Sequence, residues 1–161
     1  MIKSFLIAGT LASAMIAPAM ARPNLPKLGD GMQGSYAGVG AAIGTDDAET
    51  TVAIMGRVDT AELGSGIPVS LRPAITIGNE VGGSLGATYD IGLAKKANIY
   101  VGAGAGFGAG TALNTNNEVA AFVQVGAEGE VRENIVLFAD FKVGFGSDTS
   151  YIPTVGIGYK F

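Results

Sequence analysis

The chain has 161 residues, 10 Lys and Arg against 14 Asp and Glu, a net charge of −4, and neither His nor Cys. That balance argues against nucleic acid as a partner, because no basic stripe exists to neutralise phosphates. Without Cys there is no disulfide framework and no thiolate metal site, and without His the usual general base is missing.

The amino-terminal segment reads as a secretory signal peptide. Met1-Ile2-Lys3 supplies a short positive start, Phe5 to Ile16 are mostly apolar, and Ala17-Pro18-Ala19-Met20-Ala21 ends in an Ala-x-Ala site. Cleavage is expected after Ala21. The apolar run is shorter than the roughly 20 residues a membrane-spanning helix needs. Residues 22–34, with Pro23, Pro26 and several Gly, read as an extended periplasmic leader, and residues 35–161 as one domain. Mean hydropathy is +0.38 although no long apolar run follows the signal. This is the distributed signal of strands that show alternate residues to lipid.

Eight alternating strands follow, since strand side chains switch faces with period two. In the first, Ala37, Val39, Ala41 and Ile43 oppose Gly38, Gly40, Ala42 and Gly44. The second puts Val52, Ile54 and Val58 outward, with Thr51, Met55, Arg57 and Asp59 inward. The third has Ile67, Val69, Leu71, Ile75 and Ile77 outward, with Ser70, Arg72 and Thr76 inward. The fourth sets Val81, Leu85, Ala87, Tyr89 and Ile91 against Gly82, Ser84, Gly86, Thr88 and Asp90. A turn over Ala94-Lys95-Lys96-Ala97-Asn98 leads to the fifth, Ile99 to Phe107, whose inward face is Tyr100 and then glycines. In the sixth, Ala121, Val123, Val125, Ala127 and Val131 oppose Phe122, Gln124, Glu128 and Glu130. The seventh sets Ile135, Leu137, Ala139, Phe141, Val143 and Phe145 against Phe138, Asp140, Lys142 and Gly144. The last puts Tyr151, Pro153, Val155, Ile157, Tyr159 and Phe161 on one face.

The expected fold is therefore all-β, an eight-stranded antiparallel up-and-down transmembrane β-barrel. An even strand number returns both ends of the chain to one side, and a closed sheet leaves no backbone edge in lipid. The inward set Arg57, Arg72, Asp90, Gln124, Glu128, Asp140 and Lys142 has two readings. One is a paired network, Arg57 and Arg72 with Glu128 and Asp140, that plugs the lumen. The other is the lining of a small aqueous pore, helped by unfilled volume at the inward glycines Gly102 to Gly108. The inverse assignment, an apolar lumen and charged exterior, would make a soluble, lipocalin-like carrier.

Catalysis finds no support: no Ser-His or Asp-His device exists, and a lumen this narrow admits no sugar chain to paired carboxylates. No cofactor and no metal is expected. Asp46, Asp47 and Glu49 read as a solvated acidic turn, lacking an EF-hand pattern. The outer connections, centred on Asp46, Asn79, Asn116 and Asp148, are short, which weighs against an adhesin or receptor.

Tyr36-Ala37-Gly38-Val39-Gly40 and Val155-Gly156-Ile157-Gly158-Tyr159-Lys160-Phe161 resemble the first and last strands of the small outer-membrane barrel superfamily, the OmpA/OmpX-like and opacity-type porin family proteins. Val69-Ser70-Leu71-Arg72-Pro73 looks like an inner-strand element of porin-like sequences. The resemblance implies a bacterial outer-membrane location and contact with lipid. It also implies insertion by the barrel-assembly machinery, which reads the last strand through Tyr159 and Phe161, as well as interior ion pairs and, in some members, small conductance. OmpA's peptidoglycan-binding domain has no counterpart in this sequence, so wall anchoring is not expected. The function expected is a monomeric, non-enzymatic barrel serving membrane integrity or limited diffusion of small solutes. A surface-binding barrel using the turns at Asp46 and Asn116 is the alternative beside the carrier.

Overall fold

In the computed structural model, residues 31–43, 50–60, 69–79, 81–108, 119–146 and 149–161 are described. They form eight strands in sequence order: β1 (Tyr36–Ala42), β2 (Thr51–Asp59), β3 (Val69–Ile77), β4 (Val81–Ala94), β5 (Ala97–Phe107), β6 (Ala120–Arg132), β7 (Ile135–Phe145) and β8 (Thr149–Lys160). Each pairs antiparallel with the next, and β1 pairs with β8, so the sheet is a closed barrel. The signal-peptide residues, most of the leader, Ile67, and the connections at Asp46, Asn116 and Asp148 lie outside the described residues.

Every described strand keeps the expected alternation. The exterior carries Val39, Val52, Ile54, Leu71, Ile75, Leu85, Val101, Val125, Leu137, Val155 and Ile157, all well exposed. The interior carries Arg57, Arg72, Gln124, Glu128, Asp140 and Lys142, all buried. This is the opposite of a carrier's apolar pocket. An eleven-residue strand such as β7 rises about 3.3 Å per residue, so a tilt near 40° still crosses an apolar band of about 25 Å. Closure through β1 and β8 pairs the backbone groups that lipid cannot satisfy.

The start of β1 and the end of β8 lie at one end, called lower below. The β4–β5 turn is only Lys95-Lys96, tighter than the five residues expected, and it frees Asn98 to enter β5 with its side chain buried. The β6–β7 turn, Glu133-Asn134, needs a left-handed residue, and Asn134 supplies it at φ 61°. Register shifts at Gly92/Ala94 and Glu130/Arg132 mark bulges beside these turns, where ladders end.

A charge near the middle of the lipid face tests the assignment of faces. Val125→Arg is expected to lower the stability of the vesicle-embedded protein by about 2–4 kcal/mol. The shift would be read as the urea midpoint in reversible unfolding; an unchanged midpoint would place Val125 away from lipid.

Candidate functional site: the charged lumen

The lumen begins with a like-charge problem. The β2–β3 register runs from Met55↔Ala74 to Val58↔Leu71, which sets Arg57 and Arg72 opposite one another on the inward face. The ladder skips the positions between, beside Pro73, which has no N–H to give. Two facing guanidinium groups out of water require carboxylates, and three strands send them.

Arg57 Nη2 lies 3.2 Å from Asp59 Oδ2 and 2.9 Å from Asp90 Oδ2, and its Nε lies 3.4 Å from Glu128 Oε1. Arg72 Nη2 lies 3.2 Å from Asp90 Oδ1, and its Nη1 lies 2.8 Å from Glu128 Oε2. Asp90 on β4 and Glu128 on β6 thus each bridge both arginines. Neutral groups use the remaining valences. Arg57 Nε donates to Ser70 Oγ at 2.9 Å, and Arg72 Nε donates to Thr88 Oγ1 at 2.9 Å. Ser70 and Thr88 in turn donate to Asp90. Tyr36 OH and Asn98 Nδ2 each donate to Glu128 at 3.1 Å. The Tyr100 ring closes the layer from above, its centroid 3.5 Å from Arg72 Cζ.

Asp140 and Lys142 form a second, sparser group. Asp140 Oδ2 accepts from Tyr100 OH at 3.1 Å, and Asp140 Oδ1 lies 3.5 Å from Lys142 Nζ. The Lys142 ammonium sits 5.8 Å from the Phe122 ring centre. Gln124 is the cross-strand partner of Lys142, yet its Nε2, like Thr51 Oγ1, has no hydrogen-bond partner among the described residues. Asp140 therefore does not join the arginines as the sequence reading expected. Its register partner is Gly126, one inward step above Glu128, whose partner is Phe138, and at that height it meets Tyr100 and Lys142 instead. At the lower rim Glu130 takes Lys96 Nζ at 2.7 Å and also pairs with Lys160. Tyr159 and Phe161 stand on the exterior, far from these charges in orientation.

The inward glycines are not empty volume. A Cβ at Gly104 would run into the Phe122 ring, at Gly126 into Tyr100, and at Gly156 into Phe138. Each of these aromatic residues is the direct cross-strand partner of the glycine beneath it. Rings lie flat over bare backbone, which is how a narrow lumen holds Tyr36, Tyr100, Phe122 and Phe138, all buried. The expectation of unfilled space along Gly102 to Gly108 is corrected at Gly104, and a Cβ at Gly102 would meet Thr88.

No protein-family model matches the chain, and no curated protein does. Solved structures do. A de novo designed transmembrane β-barrel is 18% identical with a TM-score of 0.62, covering 81% of this chain and 97% of the design. The amino-terminal β-barrel domain of Pseudomonas aeruginosa OprF is 17% identical with a TM-score of 0.57, over 80% of this chain and 98% of that one. Ail, the attachment invasion locus protein of Yersinia pestis, is 14% identical with a TM-score of 0.53, over 81% and 100%. The fold is that of an outer-membrane β-barrel. The resemblance seen in the first and last strands thus holds at the level of fold.

Two stability outcomes separate the layers. Arg72→Ala leaves Glu128 and Asp90 short of a counter-charge and is expected to cost about 3–5 kcal/mol, whereas Lys142→Ala, which removes one loose pair, costs distinctly less. Urea unfolding in lipid vesicles gives both, and equal losses would contradict the layered description. Gly156→Val forces the Phe138 ring off the wall and is expected to cost about 1–3 kcal/mol by overpacking, with Phe138→Ala in the same chain restoring part of it.

Proposed function

We propose that the protein is a non-enzymatic, monomeric outer-membrane barrel with a closed lumen, serving the integrity of the membrane and not the passage of solutes. One observation carries this reading. Arg57, Arg72, Asp59, Asp90 and Glu128 each lie within 3.4 Å of an opposite charge while their side chains are at most 6% exposed. A pore needs charges that face water and exchange it for a passing ion. Charges saturated by one another, under a Tyr100 and Phe122 roof, bind strands together instead.

The rest of the reading follows from the chain's surfaces. The aliphatic exterior and the likeness in fold to OprF and Ail support an outer-membrane location, with membrane lipid as the standing partner. Export would use the signal peptide at 1–21, and insertion would use the barrel-assembly machinery acting on β8, whose Tyr159 and Phe161 face outward. The absence of His and Cys, and the engagement of the lumen carboxylates in ion pairs, support a role without catalysis.

Planar-bilayer recording of the refolded protein tests the closed lumen. The unmodified protein is expected to stay silent at neutral pH, and the double variant Arg72→Ala with Tyr100→Ala to give discrete openings. Openings of the unmodified protein, altered in ion preference by Arg72→Ala alone, would make the lumen a pore.

A further inference from the structure

The lower mouth holds a piece of chain that is not barrel wall. Residues 31–34 precede β1 and belong to no strand, Ser35 after them accepts the Phe161 N–H at 3.2 Å and so already joins the wall, and Met32 is only 2% exposed. It packs with Tyr36, Val136 and Phe138 inside the barrel. Gly31 at φ 69° and Gly34 at φ 98° bend the chain on either side of it, conformations an L side chain resists.

The wall receives this segment through side chains. Asn98 clamps Met32 from both sides, accepting from its N–H at 2.9 Å and donating Nδ2 to its carbonyl at 2.9 Å. Arg57 Nη1 donates to Met32 O at 3.2 Å and to Gly34 O at 2.9 Å, and Gly34 N–H donates to Asp59 Oδ2 at 3.2 Å. None of these bonds is needed for charge balance. With the segment gone, Arg57 keeps Asp59, Asp90 and Glu128, and the freed groups would face water.

We propose that residues 31–34 are a releasable stopper of the lower mouth, seated on Asn98 and Arg57, that keeps water from the arginine layer. The proposal rests on the closed-lumen reading and deepens it: the lumen has a removable seal below and a fixed one above, at Arg72, Tyr100 and Phe122. Two discrete states are available because β1 to β8 close into a barrel without residues 31–34, which belong to no strand. By the topology of such barrels the lower mouth opens to the periplasm, so release would be governed from that side.

The chain has no Cys, so a single reporter is clean. Val136 is fully covered and packs on Met32, which makes Val136→Cys the reporter for a charged, water-soluble methanethiosulfonate. In the folded barrel the thiol is expected to be protected. Adding Asn98→Ala, or Gly31→Ala, whose new Cβ would run into Asn98 Oδ1, is expected to speed labelling about tenfold or more, because labelling follows the open population. Gly31→Ala substitutes no wall residue, and unchanged strand content and gel mobility show that both variants fold. Fast labelling without a second substitution, or protection that survives both, would overturn the stopper. Bilayer recording of the reporter chain separates the two readings: a silent but unlatched barrel keeps the closed upper lumen, while openings in the parent remove both.

Discussion

Arg57 and Arg72 stand opposite each other on neighbouring strands, and this pair dictates much of what surrounds it. Neither guanidinium can be neutralised locally by one carboxylate without leaving the other exposed to its twin. Asp59, Asp90 and Glu128 therefore converge from β2, β4 and β6, and Tyr36 from β1 completes the ring of donors around Glu128. Because the side-chain period is two, a one-residue slip of any of these strands would carry its charge to the lipid face. The network thus specifies register as well as filling space. Its net stabilising effect is modest beside what breaking it would cost, so its main product is uniqueness of pairing.

The packing solves a second constraint, that of width. Eight strands leave room for side chains and little more. Bulk on one strand is matched by a missing side chain on the next, as with Phe122 over Gly104 and Phe138 over Gly156. Glycine in a strand normally weakens it, but a ring laid over it restores burial and covers the backbone. The abundance of glycine and the buried aromatics are therefore one feature seen from two sides of the same seam.

Strand number, order and the facing of each residue were legible in the sequence because alternation is a local property. Val52, Ile54 and Val58 on one parity and Arg57 and Asp59 on the other leave no choice of face. Height inside the lumen was not legible, since parity says inward without saying at what level. Parity therefore groups Asp140 with the arginines, although it lies one inward step above Glu128 and answers to Tyr100 and Lys142. Asn98 reads as part of a turn because Ala94-Lys95-Lys96-Ala97-Asn98 holds two Lys and an Asn and no large apolar residue. The two-residue turn that moves it into the wall is set by the neighbouring bulge. Met32 sat in a glycine-rich stretch that reads as linker, and nothing local announces that such a stretch will fold back into a mouth.

The seam between β1 and β8 has a consequence in time. It is the join between the first and last strands, and β1 brings only seven residues to it. Every other ladder joins strands consecutive in sequence, whereas this one must gather nearly the whole domain before its first bond forms, at the entropic cost of a very long loop. Until then both outer strands present unpaired backbone that lipid cannot tolerate. The loop-closure cost therefore falls most heavily on this seam, and a chain halted before it would be an open sheet with two adhesive edges.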